Sequence, residues 1–299
     1  MDTIERAVEK LEALGEAPAA PDQEAEPPAS TLPRAEEWET SRDDRHQLIH
    51  IDPERLQAGG IVDPRSEQRD QLAEEFRQIK LPVLRHIRGE TASAGQIEHP
   101  NLVMVTSSIA GEGKTFTAIN LALSIAMEKD MTVLLVDADV AKPEVTTRLG
   151  IEAKQGLTDV LLGEARVEDV LLRTNIPKLT LMPSGRSHPH ATELLASSAM
   201  RRLAEELSTR YADRVVIFDS PPLLMTSEAR VLALLMGQIL LVVEESRTPQ
   251  PLVKEAAGLL QDVEVVGLVL NKAHRLAKGI YGGGYGYGYG YGHGRQGAH

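Results

Sequence analysis

The sequence predicts an α/β fold built on a mainly parallel sheet with helices on both faces, and three observations predict it. Short apolar, β-branched runs alternate with helical patterns along most of the chain. Apolar residues make up 42% of the sequence and aromatics only 3%, which suits buried strands rich in Val, Leu and Ile. The stretch from Val103 to Ala122 then passes from an apolar run through a small-residue turn into a helical pattern.

That stretch organises the rest. Its turn reads Ser107-Ser108-Ile109-Ala110-Gly111-Glu112-Gly113-Lys114-Thr115, with Phe116 in the helix that follows. Strand, Gly-rich loop and helix in this order form a phosphate-binding loop, which makes the predicted fold that of a P-loop NTPase. Backbone N–H groups from Ala110 through Gly111, Glu112 and Gly113 to Lys114 can wrap a phosphate, with the helix N-terminus behind it. Lys114 would reach the β and γ phosphates of ATP, and the Thr115 hydroxyl would hold Mg²⁺. Ser108 stands where the first glycine of the motif is usual. A Gly-rich turn without a ligand would not require the Gly-Lys-Thr ending.

Two later strands end in acids. Met131 to Asp139 closes on Asp137-Ala138-Asp139, and Arg214 to Phe218 runs into Asp219-Ser220-Pro221-Pro222. Acids at the C-terminal ends of parallel strands face the ligand crevice. Asp219 is the expected second anchor for nucleotide-bound Mg²⁺, through water. A lone Asp more often caps a helix or forms a turn, but three of them behind one Gly-Lys-Thr point to a site. Further strands are expected at Gln238–Glu244 and Val265–Leu270, the second leading into Asn271-Lys272. Helices are expected at 191–208, 227–235 and 251–260, and at 66–88 with an interruption near Pro82. The last of these carries Glu74, Arg77 and Lys80, acid and base spaced to project from one helix face.

The flanks differ from this domain. Residues 1–15 carry Ile4, Ala7, Val8, Leu11 and Leu14, the stripe of a short amphipathic helix suited to docking on a partner. Residues 16–47 read as a disordered acidic linker: from Glu16 to Thr40 they hold five prolines, seven acids and one arginine. The nucleotide-binding domain is expected over 48–278. Residues 279–299 form a Gly/Tyr-rich tail in which Tyr281, Tyr285, Tyr287, Tyr289 and Tyr291 are five of the six tyrosines of the chain. Alternating glycine makes order costly there, so these hydroxyls are expected to be exposed, each able to gain about −1.5 to −2 charge as a phosphate ester.

Composition removes several classes of function. A net charge of −12 leaves no broad basic footprint for nucleic acid. With no cysteine there are no disulfides, thiolate metal sites or cysteine nucleophiles. No signal peptide is read at the N-terminus, and the longest apolar run, Val231 to Val243, is broken by Gly237 and Gln238. A cytoplasmic chain that reaches a membrane only through a partner is the expectation.

Taken together, these residues resemble the bacterial tyrosine kinases, P-loop autokinases unrelated in fold to eukaryotic protein kinases. The resemblance runs from about Leu48 onward and is nearest to the free-standing cytoplasmic type of exopolysaccharide loci, including the exosortase-linked branch. It implies that Asp137-Ala138-Asp139 is the second nucleotide motif of the family and that Ile217 to Pro222 is its Walker B. It also implies that Glu74, Arg77 and Lys80 are a subunit contact and Asn271-Lys272 an adenine-side sequence. Lys114, Asp137 and Asp139 would then be catalytic, with Asp137 orienting or deprotonating the tyrosine hydroxyl, while Thr115, Asp139 and Asp219 serve the metal. The tyrosine cluster would be phosphorylated by a neighbouring subunit of a ring-like homo-oligomer. A transmembrane polysaccharide co-polymerase would act as adaptor in trans at the inner membrane, and a tyrosine phosphatase would reset the tail. Two departures stand out: Ala141 replaces a basic residue, and Lys80 replaces an arginine, keeping charge but losing bidentate pairing. The competing readings are a Min/Par-type ATPase switch, which would carry a lysine where this chain has Ile109, and a non-catalytic ATP-binding scaffold.

Overall fold

The computed structural model describes residues 48–66, 71–91, 97–210 and 213–273. The helix expected at 1–15, the linker 16–47 and the tail 279–299, with Tyr281, Tyr285, Tyr287, Tyr289 and Tyr291, lie outside the described residues.

The chain enters through Ile49, which pairs with Thr174, and Ile51, whose N–H donates to the Asn175 side chain at 2.9 Å. Helices α1 (Pro53–Ala58) and α2 (Gln71–Ile87) follow. Next come β1 (Leu102–Ser107), α3 (Lys114–Ala126) and β2 (Thr132–Asp137). Short helices α4 (Val145–Leu149), α5 (Leu157–Leu161) and α6 (Val167–Val170) lead to β3 (Leu172–Arg173) and β4 (Leu179–Met182). Helices α7 (Ala191–Leu194) and α8 (Ser198–Thr209) precede β5 (Arg214–Asp219). Helix α9 (Ser227–Ala233), β6 (Gln238–Glu244), α10 (Gln250–Gly258) and β7 (Val266–Asn271) complete the described residues.

Seven strands form one sheet in the order β3-β4-β2-β5-β1-β6-β7. Every neighbouring pair is parallel except β3 with β4 at one edge. Strands β1, β2 and β5 are buried on both faces, except for the half-exposed first residue of β2, so they read as continuous apolar runs. Helix α3 is buried along nearly its whole length between this sheet and α2. Asn120 fastens the entering chain to it: its side-chain oxygen accepts the Val62 N–H at 2.8 Å, and its amide donates to Phe116 O at 2.9 Å. Because β5 lies between β2 and β1, the ends of these three strands stand side by side, which places the site.

Four expectations are corrected. Helix α2 runs unbroken through Pro82, because Phe76, Val83 and Leu84 bury its inner face while Gln78 and Pro82 are both exposed, so no buried carbonyl is orphaned. The helix expected at 191–208 is two, since the Ser197 hydroxyl caps α8 by accepting the Met200 N–H at 3.2 Å. Strand β2 ends at Asp137 rather than Asp139, where Ala138 N–H bonds to Asp219 O at 2.8 Å and the chain turns. The sheet is not covered everywhere: Val266, Leu268 and Leu270 of the edge strand β7 are exposed.

Candidate active site

The loop between β1 and α3 takes its shape from two glycines with positive φ, Gly111 at 91° and Gly113 at 102°. At Gly113 the demand is double. A Cβ there would also lie 2.0 Å from the Asn271 side-chain nitrogen, so only glycine fits. Lys114 and Thr115 then open α3, with their side chains at the strand ends. Ser108, in the place of the first glycine, is fully buried and accepted without a hydrogen bond to its hydroxyl.

Lys114 Nζ lies 2.6 Å from Asp139 Oδ2 and 3.7 Å from Asp219 Oδ1, and donates to the Thr115 hydroxyl at 3.2 Å. Asp137 and Asp219 are fully buried, and Asp139 is nearly so. Burial lowers the affinity of Lys114 for its proton, but Asp219 and Asp139 more than offset this and hold the ammonium above its ordinary pKa. Burial pushes Asp219 up to about 6 against the pull of Lys114. Burial, reinforced by Asp219, pushes Asp137 well above the usual carboxylate range. One lysine thus faces three buried acids, so the pocket is short of positive charge. Both Asp219 oxygens and Asp137 Oδ1 are buried without a hydrogen-bond partner. Hard oxygen donors with unmet charge suit Mg²⁺, and Thr115, Asp139 and Asp219 are the residues that would hold it, directly or through water.

These groups open on a cleft of about 1270 Å³. Ala110, Gly111, Gly113, Lys114, Thr115, Phe116 and Asp139 line its floor. Leu72, Phe76, Ile79 and Pro82 of α2 form one wall and the last residues of β7 another. Phe116 packs edge-to-face on Phe76 with ring centroids 6.1 Å apart. Lys142 and Arg148, both paired with Glu144, stand at the rim. Asp137 lies behind the lining; its Oδ2 accepts the Val145 N–H at 3.1 Å.

Asn271 and Lys272 line the cleft and grip the loop. The Asn271 amide donates to Glu112 O and the Lys272 ammonium to Gly111 O, each at 2.8 Å. The Glu112 side chain is buried on the β6 side rather than turned to the cleft. Of the expected subunit contact, Glu74 and Arg77 are exposed, 3.7 Å apart. Lys80 is corrected: it is buried, pairing with Glu128 at 2.8 Å and donating to Ser124 O at 2.8 Å, so it ties α2 to the end of α3.

Residues 101–264 match the AAA domain family. The tyrosine-protein kinase YwqD of Bacillus subtilis is 34% identical over 199 residues, covering 66% of this chain and 83% of that protein. The succinoglycan biosynthesis transport protein ExoP of Rhizobium meliloti is 33% identical over 218 residues, but this chain spans only 26% of its length. The kinase domain of the Escherichia coli tyrosine kinase ETK superposes with a TM-score of 0.64 at 26% identity, covering 85% of this chain and 91% of that domain. With a phosphate loop, a buried lysine and strand-end acids arranged as above, the chain belongs to the bacterial tyrosine kinases and is a protein-tyrosine kinase with an ATP-binding P-loop domain.

Proposed function

We propose that the chain transfers the γ-phosphoryl group of ATP to the tyrosines of its own C-terminal segment, in trans between copies of a homo-oligomer. The observation that carries this reading is the Lys114–Asp139 pair on the floor of a cleft, with Asp219 buried 3.7 Å from the lysine, in a chain whose C-terminal segment holds five closely spaced tyrosines. In the reaction the phenolic oxygen forms a bond to the γ-phosphorus, the bond from that phosphorus to the β,γ-bridging oxygen breaks, and ADP leaves. The N–H groups of Gly111 to Lys114 and the Lys114 ammonium hold the phosphates in line and meet the charge of the transition state. Mg²⁺, when bound, would neutralise phosphate charge. Asp137, whose Oδ1 is buried without a hydrogen-bond partner, orients the phenol or takes its proton once the substrate separates Lys114 from the carboxylates.

The relative named for succinoglycan biosynthesis transport supports a role in polysaccharide synthesis or export. Among the described residues no helix is long and apolar enough to cross a membrane. The proposal therefore includes an inner-membrane adaptor of the co-polymerase type supplied by another chain, and a phosphatase that resets the tyrosines. Glu74 and Arg77, exposed on α2, are the proposed contact between copies.

Intact-mass measurement after incubation with Mg²⁺ and ATP tests the core of this reading. Phosphates are expected on the wild-type chain and absent from Lys114→Met and from a chain ending at Lys278. Mixing that active truncated chain with full-length Lys114→Met should phosphorylate the latter. An unmodified wild-type chain that still binds ATP, even with an adaptor's cytoplasmic segment added, would overturn the autokinase reading.

A further inference from the structure

A carboxylate within a loop built for phosphate calls for an explanation, and Glu112 supplies one by its contacts. It is 1% exposed. Its Oε2 accepts the Ile109 N–H at 2.8 Å, and its Oε1 accepts the Thr248 hydroxyl and, at 3.4 Å, the Glu244 N–H. Among the described residues no lysine or arginine pairs with it, and the donors it meets are neutral. Around it, Asn271 and Lys272 take the carbonyls of Glu112 and Gly111, and Lys272 is held in turn by Glu244 Oε2 at 2.9 Å. The carbonyls and one side chain of the loop are thus bonded to the β6 and β7 ends.

We infer that Glu112 and Thr248 are positioning residues for the phosphate site, the Thr248 hydroxyl holding the buried carboxylate so that the loop keeps its phosphate-binding shape. The inference rests on the nucleotide reading of the cleft. Without the hydroxyl, Glu112 Oε1 keeps only its long contact to Glu244. A buried carboxylate oxygen left so moves toward water, and the loop backbone, one residue from Gly113, moves with it. Neither residue touches the phosphates through its side chain; both act through the backbone between them. Nothing in the sequence motif requires Thr248, which lies 136 positions from Glu112.

The test is calorimetric titration of the full chain with MgADP, with thermal melting in the absence of nucleotide alongside. Thr248→Val keeps the shape and removes the hydroxyl, and is expected to weaken MgADP about ten-fold, the scale of one lost hydrogen bond to a charged group. Thr248→Ser restores the hydroxyl and is expected to bind as the wild type does. In a Glu112→Ala background, Thr248→Val should add no further loss, since its partner is gone. Thr248→Val binding within about two-fold of wild type overturns the inference. A Ser variant as weak as the Val variant, or fully additive losses, does the same. Failure of the wild type itself to bind MgADP, read in the same titration, would instead overturn the nucleotide reading.

Discussion

Asp137 and Asp219 are register partners at the ends of the neighbouring strands β2 and β5, two fully buried carboxylates side by side. Two like charges so close and so buried disfavour each other's ionised form. For Asp219 the folded pKa of about 6 stands above the ordinary 3.8. The folded chain therefore holds that proton more tightly than the unfolded chain does. The resulting stability is complete below about pH 3.8 and is lost as pH rises through about 6, a swing of about 3 kcal/mol. Asp219→Asn should accordingly melt higher than wild type at pH 8, with the gap closing toward pH 4. A gap that stays constant across a melting series in pH would contradict this.

Asp137 lies behind the cleft lining, near the lysine proposed to hold phosphate. Asp137→Asn preserves the acceptor for Val145 N–H and is expected to lower kcat about 100-fold, the lower range for loss of a general base. Affinity for MgADP should change little. Steady-state kinetics with equilibrium binding separates the two effects, and equal losses in both would remove the assigned role.

Gly113→Ala meets two obstacles, a positive φ and the Asn271 amide 2.0 Å from the new Cβ. Nucleotide binding should be abolished. Adding Asn271→Ala clears the clash but not the strain, which costs about 1 kcal/mol or more, so binding should return only in part. Full recovery in a fluorescence titration would show that φ at this residue is unimportant.

Lys80 and Arg77 stand one turn apart on α2 and should behave oppositely. Lys80→Met removes a buried ammonium that pairs with the half-exposed Glu128 and donates to Ser124 O, and is expected to destabilise the fold by about 2 kcal/mol. Arg77→Ala removes an exposed contact of 3.7 Å and should cost about 0.5 kcal/mol or less. Chemical denaturation measures both. If Arg77 joins copies, its loss should reduce the assembled fraction in sedimentation while stability stays unchanged.

The phosphate loop and the acids at the ends of β2 and β5 were legible because each is a local pattern: an apolar run, then the reactive residue. The parallel sheet followed from the same runs. Lys80 was not legible, since a charge on an amphipathic helix reads as solvated, and its partner Glu128 lies 48 positions on, in the turn after α3. The side chain of Glu112 carried a faint signal, for an acid beside a phosphate must turn away, but the hydroxyl that receives it is fixed by the turn after β6. Strand β7 alternates Val, Gly, Leu, Val, Leu and Asn, which reads as buried only if something covers both faces. The break at Ser197 is present in the sequence as a capping serine, but the residues on either side of it both favour helix, so the stretch reads as one.

The bonds from Asn271 and Lys272 to the phosphate loop span 159 and 161 positions. On a chain synthesised from its N-terminus, the loop emerges early and lacks these two braces until β7 joins β6. The site is therefore the last thing the domain finishes rather than the first, because these long-range pairings close only when the sheet is complete. A nascent or truncated chain lacking β7 and Lys272 would carry every residue of the Gly-Lys-Thr motif and lack the two bonds that brace its backbone.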